Sequence, residues 1–162
     1  MRKTSQLPSA TPNIFVSNRQ RTFKVSPKFL ISVAETILSR VGQKSGELSI
    51  VLLNDPAMRK LNSQYRGKDC STDVLAFPQD LSLNVPEHLI GDVIISLQTA
   101  ARQAKERKSV LRNELVRLLI HGILHLLGYD HEKSLQEATR MKNKERLIIK
   151  HLKINGITST EN

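Results

Sequence analysis

The chain has 162 residues, 39% hydrophobic and 4% aromatic, and no apolar run approaches the roughly 18 residues that a membrane-spanning helix needs. This length suits one domain with a working core. The single cysteine excludes an internal disulfide, and together with the lack of an apolar signal segment it predicts a cytoplasmic location.

The formal net charge of +10 is concentrated in two segments. Residues 1–28 hold six Lys or Arg and no acid, and residues 132–153 hold seven Lys or Arg against three acids. Clustered positive charge favours a polyanion such as RNA, and the alternative is a basic surface that contacts only solvent. The scarcity of aromatic residues disfavours sequence-specific base recognition by a sheet of aromatic side chains.

The first half of the chain alternates between strand and helix patterns. Residues 1–12 lack apolar periodicity and are predicted to form a mobile basic tail. The elements predicted next are a strand over Asn13 to Ser17, a helix from Pro27 with Ser26 as N-cap, a strand over Glu47 to Leu53, and a helix through Tyr65 capped by Asn54 or Asp55.

The chain from residue 66 onward is mainly helical. It begins with a polar loop from Arg66 to Ser71, a strand over Asp73 to Phe77 that Pro78 ends, and a linker over 79–88. A strand over Ile90 to Ser96 and helices over about 97–107, 110–127 and 134–152 follow. Strands followed by helices predict an α+β protein with a small sheet on one side of a helical layer. We expect one domain over 13–154 and an unpatterned tail over 155–162.

Three of the five histidines lie between residues 118 and 131. His121 and His125 are spaced i, i+4 on the helix predicted over 110–127, so their imidazoles project from neighbouring turns and can bind one metal ion. Gly128 supplies a helix end, after which His131 can reach the same ion. Three imidazoles leave a fourth tetrahedral position to water, which is typical of catalytic zinc.

The spacing of these histidines matches the metzincin protease pattern, except that Gly122 stands where such a protease carries its general-base glutamate. A glycine cannot accept a proton, which disfavours peptide hydrolysis. Glycine in a helix interior costs roughly 1 kcal/mol relative to alanine. We therefore expect Gly122 to allow close packing of another backbone.

The motif His121-Gly122-x-x-His125-Leu126-x-Gly128-Tyr129-Asp130-His131 resembles the signature of the YbeY family of metal-dependent endoribonucleases, which mature ribosomal RNA. Further segments resemble family blocks in family order: Tyr65 to Asp69, Thr72 to Pro78, Gly91 to Ser96, and Glu137 to Glu145. The chain departs from the family at Cys70-Ser71, where relatives more often have a proline, and at Ala76, where serine is commoner.

The resemblance implies a mixed four-stranded sheet with helices around the histidine-bearing one. It further implies a single-strand-specific, metal-dependent endoribonuclease acting in small-subunit ribosomal RNA maturation and ribosome quality control. The imidazole-rich site predicts one zinc ion per chain, with another transition metal as the alternative. The implied partners are ribosomal RNA and the small ribosomal subunit or its proteins, with neither DNA nor a membrane. Two other interpretations stay open, a zinc-stabilised assembly factor without catalysis and a metalloprotease-like hydrolase.

Two residues beside the histidines are candidates for catalysis. Arg66 could bind the anionic substrate, and the matching family arginine is regarded as functionally important; the alternative is a surface ion pair with Asp69 or Asp73. Asp130 could orient an imidazole or accept a proton from water, and the alternative is an aspartate that only stabilises a turn.

Three further residues are weighed mainly as structural. Asp92 and Glu145 could support a ligand, but a structural role is favoured for both. Cys70 is interpreted as a loop thiol, with a fourth metal ligand as the alternative. A cysteine ligand would close the site and favour the assembly factor without catalysis.

Overall fold

The structure, a computed structural model, describes residues 11–79, 89–154 and 156–157. The elements in chain order are β1 (Asn13–Asn18), α1 (Pro27–Arg40), β2 (Glu47–Leu53), α2 (Asp55–Arg66), β3 (Val74–Pro78), β4 (Leu89–Ser96), α3 (Leu97–Glu106), α4 (Leu111–Leu126) and α5 (Leu135–Ile154). Nearly all of the predicted basic tail and of the linker over 79–88, and most of the tail over 155–162, lie outside the described residues.

The strands form one sheet in the order β1-β2-β4-β3. β1 pairs with β2 and β2 with β4 in parallel, whereas β3 pairs with β4 antiparallel. The α+β class and the mixed four-stranded sheet are therefore confirmed.

Side-chain caps begin two helices as predicted. The Ser26 hydroxyl accepts a hydrogen bond from the backbone N–H of Phe29 at 3.3 Å, and Asn54, rather than Asp55, accepts from Ala57 at 3.0 Å. α2 ends at Gly67, which adopts a left-handed conformation with φ of 66°. Arg66 is thus the last residue of α2, and its assignment to a loop was wrong.

The carboxylate of Asp55 links the start of α2 to α3. Its Oδ1 accepts hydrogen bonds from Ser96 and Thr99 at 2.6 Å and from Ser71 at 3.0 Å, and its Oδ2 accepts from Arg102 at 2.7 Å. Burial by itself raises the pKa of Asp55, but these hydrogen bonds outweigh it and lower the pKa well below its usual range. The network holds the polar segment after α2 against the sheet.

α4 is central in the fold, because it contacts β3, β4, α1, α3 and α5. Its residues Leu115, Leu118 and Leu119 are each no more than 2% exposed, and burying a leucine contributes about 1.5 to 3 kcal/mol. α4 is the predicted histidine-bearing helix.

Gly122 lets α4 approach the sheet closely. A Cβ atom at Gly122 would lie 2.8 Å from Cγ1 of Val93 and 3.4 Å from Cγ2 of Val74. The expected close neighbour was another backbone, and this was wrong, because the contacts are with side chains of β4 and β3. A substituent at Gly122 would have to displace Val93, whose branched side chain has little rotamer freedom.

None of the helices in the described ranges combines the length and the apolar character needed to cross a lipid bilayer.

Candidate metal centre

Three imidazoles meet at the C-terminal end of α4. His121 and His125 project from successive turns of α4, and His131 follows in the segment before α5. One ring nitrogen from each histidine can be chosen so that all three lie within 4.8 Å of one another. The structure thereby brings together the three residues predicted as metal ligands.

The turn after α4 places His131. The backbone N–H of Gly128 donates to the carbonyl of His125, and that of Tyr129 donates to the carbonyl of Leu124, both at 3.1 Å. Gly128 has a φ of 92°, which side-chain-bearing residues rarely adopt. These bonds satisfy the last carbonyls of the helix and turn the chain back toward its histidines.

The geometry fits a tetrahedral ion. Nε2 of His121 and Nε2 of His125 lie 3.1 Å apart. Two nitrogens at about 2.0 to 2.1 Å from one tetrahedral ion would lie roughly 3.3 to 3.4 Å apart. The full set of three nitrogens lies within 4.8 Å, so the cluster could hold a metal ion.

The electrostatics of the cluster favour neutral imidazole at His125. Burial lowers the pKa of His125, and the charges of His121 and His131 lower it further, while Asp130 and Glu132 act in the opposite direction. Neutral imidazole is the form that binds metal ions.

Glu145 of α5 holds His121 in place, the ligand-supporting role that the sequence left as the less favoured alternative. Its Oε1 lies 2.8 Å from Nδ1 of His121, and both side chains are little more than a quarter exposed. A hydrogen bond from Nδ1 leaves the lone pair of Nε2 facing the other imidazoles. The contact therefore favours the ligand-supporting alternative for Glu145 over the structural role. Glu145 lies between the buried residues Met141 and Ile148 on the inward face of α5, but helical spacing could not show that His121 of α4 would be its partner.

We expect Glu145→Ala to weaken zinc binding by about 10- to 100-fold, because carboxylates that orient a ligating imidazole have effects of that size. Glu145→Gln should have a smaller effect, since its amide oxygen can still accept the hydrogen bond. Competition with a chromogenic chelator measures both affinities. The matched control is Glu137→Ala, which removes an acid of α5 that pairs with Arg140 instead. Equal zinc affinity in Glu145→Ala and the wild-type protein would contradict this role.

Arg66 is exposed, and its side chain makes no hydrogen bond or ion pair with any residue in the described part of the chain. The two carboxylates considered as its partners are engaged elsewhere. Asp69 binds Arg59 through two hydrogen bonds of 2.8 and 2.9 Å, and Asp73 lies 3.9 Å from Arg117. The alternative of a surface ion pair is thus not observed.

A series of contacts connects the end of α2 with the end of α4. The ring of Tyr65, next to Arg66, packs edge-on against Phe77 with centroids 5.2 Å apart. A Cβ atom at Gly91 would lie 2.5 Å from the carbonyl oxygen of Phe77 and 2.8 Å from Cδ2 of Leu126. Phe77 therefore lies between Tyr65 and the residue that follows His125.

Comparison with known proteins gives the family of this chain. A family model described as Endoribonuclease YbeY matches residues 15–153. The chain belongs to the YbeY endoribonuclease family.

Individual relatives agree with the assignment to the YbeY family. An Endoribonuclease YbeY of Sulfurihydrogenibium is 45% identical over 79% of this chain and 84% of its own length. That of Geobacter sulfurreducens is 42% identical over 89% of this chain and 98% of its own length. The solution structure of TM1509 from Thermotoga maritima superimposes with a TM-score of 0.59 at 25% identity, covering 91% of this chain and 97% of that one.

Within this YbeY chain, Asp130 stabilises the turn that carries His131. Its Oδ1 accepts a hydrogen bond from the backbone N–H of Glu132 at 2.9 Å, as in an Asx-turn. Its charge also partly opposes the lowering of the His125 pKa by burial and by the neighbouring histidines. The turn role is observed directly, and a role in proton transfer stays a prediction.

Cys70 and Asp92 lie apart from the histidines. Cys70 is exposed, and its carbonyl accepts a hydrogen bond from the Asn62 amide at 2.8 Å. Asp92 is exposed on β4, opposite Phe77 of β3. Among the described residues, the group able to hold a metal consists of histidines alone.

Arg117, which the sequence analysis did not consider, lies one helical turn before His121. Its guanidinium hydrogen-bonds the buried carboxylate of Glu114 and the side chain of Gln103. Its positive charge is therefore balanced within the protein, unlike that of Arg66.

Proposed function

We propose that this chain is a single-strand-specific, zinc-dependent endoribonuclease that acts in small-subunit ribosomal RNA maturation and ribosome quality control. The observation that carries the proposal is the group of three imidazole nitrogens in a chain of the YbeY family. The relatives from Sulfurihydrogenibium and Geobacter sulfurreducens are named as endoribonucleases, which are hydrolases of RNA.

His121, His125 and His131 are the proposed zinc ligands, and Glu145 orients the first of them. A donor set made only of imidazoles suits zinc, and it leaves a coordination position for water or substrate. When bound, the ion lowers the pKa of a water molecule and polarises a phosphoryl oxygen, which phosphodiester cleavage requires.

Arg66 is proposed to bind the phosphate that is cut. Its guanidinium has no partner among the described residues, so it can form paired hydrogen bonds with a phosphodiester without breaking an existing ion pair. These bonds strengthen as negative charge grows on the phosphoryl oxygens during attack. Asp130, held by its turn beside His131, is proposed to accept a proton from the attacking group.

The two alternative functions are less well supported. A non-catalytic assembly factor would be favoured by a closed site with a cysteine ligand, but Cys70 is not in the group of potential ligands. A metalloprotease would need a general base at the position of Gly122, which packs against Val93 instead.

Ribosomal RNA within the small subunit is the proposed substrate, and the cytoplasm is the proposed location. The basic segment over 132–153 forms most of α5, which also carries Glu145 of the metal centre. Neutralising phosphates with these residues releases counterions, which favours binding of RNA near the histidines. The single cysteine suits a reducing compartment.

The proposal is tested with a labelled single-stranded RNA and a duplex of the same sequence. The zinc-loaded protein should cut the single strand faster than the duplex, chelation should abolish cleavage, and added zinc should restore it. RNA binding without cleavage at any metal content would instead favour the assembly factor. Cleavage of an unstructured peptide would favour the metalloprotease.

A further inference from the structure

The outer face of α5 carries large apolar side chains in contact with solvent. Leu135 is 88% exposed and Leu147 is 61% exposed. Residues at positions 135, 136, 139, 140, 143, 144 and 147 share one face of a helix because they are spaced three or four apart. Together with Tyr129 they line a groove of about 650 Å³, which we call the α5 groove. This volume falls within the range of small-molecule sites.

The α5 groove combines a flat stacked surface with positive charge. The guanidinium of Arg140 lies over the ring of Tyr129, 4.8 Å from its centroid. Lys144 and Asn143 add an ammonium group and an amide, and no carboxylate lines the groove itself. Glu137 lies beside the groove, 3.7 Å from Arg140, so Lys144 is the cation of the groove with no partner among the described residues. A nucleotide matches this set, because bases stack on aromatic rings and guanidinium planes while phosphates pair with basic side chains.

The α5 groove adjoins the metal centre along two stretches of chain. Tyr129 is two residues before His131, which places their Cα atoms within about 7 Å. Lys144 directly precedes Glu145, whose carboxylate contacts His121. An RNA strand with a phosphate at the histidines would therefore have a neighbouring nucleotide beside the groove.

We propose that the α5 groove binds a nucleobase of the RNA strand next to the phosphate that is cut. The base lies against the stack of Arg140 and Tyr129 and against Leu135 and Leu147, and Lys144 contacts the adjoining phosphate. This inference rests on the proposed endoribonuclease function. It explains how a chain with few aromatic residues can prefer single strands, since a paired base cannot enter the groove.

Tyrosine fluorescence offers a direct test. The chain has two tyrosines and no tryptophan. In Tyr65→Phe, Tyr129 is therefore the only tyrosine left, and its fluorescence can be read without interference from another tyrosine or a tryptophan. Zinc-loaded Tyr65→Phe protein is mixed with a short single-stranded RNA by stopped flow, and the signal is read before cleavage. RNA should quench Tyr129, whereas an abasic ribose-phosphate strand of equal length should not.

Three variants separate stacking from charge. Arg140→Lys keeps the charge but loses the flat guanidinium, and Leu147→Ala removes part of the apolar wall. Each should weaken RNA binding by roughly tenfold, the size expected for losing a stacked base, and should leave binding of the abasic strand nearly unchanged. The matched control is Lys142→Gln, because Lys142 is exposed on α5 but does not line the groove. Lys142→Gln should weaken the binding of both strands alike, by only a small factor.

Equal affinity for the two strands, with no change in Tyr129 fluorescence, would overturn the proposal and leave the groove as a docking surface for a protein. An Arg140→Lys protein that binds and cuts RNA like the wild type would also overturn it, while the endoribonuclease function would stand. Preferential binding of base-bearing RNA by a protein that never cleaves would support the groove and contradict the proposed function instead.

Discussion

Arg66→Ala is expected to lower the single-turnover rate of RNA cleavage by about 10² to 10³, the usual cost of losing one electrostatic contact to the transition state. Zinc content and fold should be unchanged, because Arg66 is exposed at the end of α2 and its side chain makes no hydrogen bond or ion pair with the described residues. The rate is measured with a single-stranded RNA and excess enzyme.

Arg66→Lys should lose most of the activity as well, since an ammonium group cannot form the paired, planar hydrogen bonds of a guanidinium. Lys60→Ala is the control, because Lys60 is an exposed basic residue of the same helix and its loss should leave the rate within a small factor. A wild-type rate in Arg66→Ala would show that the positive group acting on the phosphate lies elsewhere.

His125→Ala should lose bound zinc and with it RNA cleavage. Removing a ligand should cost more than the 10- to 100-fold in affinity expected for a residue that only orients a ligand. Elemental analysis after dialysis measures the zinc, and circular dichroism checks that the helices persist. The helices should persist in His125→Ala, because His125 is only partly buried and the cavity left by its imidazole lies at the edge of the core.

The control for His125→Ala is His151→Gln, which changes a histidine of α5 outside the group of potential ligands. It should retain about one zinc per chain. If His125→Ala also retained the full wild-type content, the ion would be bound elsewhere and the proposed centre would be wrong.

Local signals in the sequence predicted every element of the described fold to within two residues at either end. Ser26 before Pro27 and Asn54 before α2 act through hydrogen bonds to residues three positions ahead, so they can be predicted from the sequence. The pairing of His121 with His125 is equally local, because an i, i+4 spacing places both imidazoles on one side of any helix. The end of α2 was missed by one residue, since the helix continues through Arg66 and Gly67 takes the left-handed conformation that ends it.

Contacts between distant segments were decided by packing. The sequence could not show that β4 would lie between β2 and β3, because strand order depends on which apolar faces pack together. Val93 against Gly122 and Glu145 against His121 join segments 29 and 24 residues apart, and periodicity carries no information on such pairs. From the sequence alone, the grouping of the three histidines could be predicted, and so could the helix that presents two of them. Only the tertiary structure decided which carboxylate orients His121 and which arginine keeps its charge free, because both depend on side chains that the folded sheet and helices bring together.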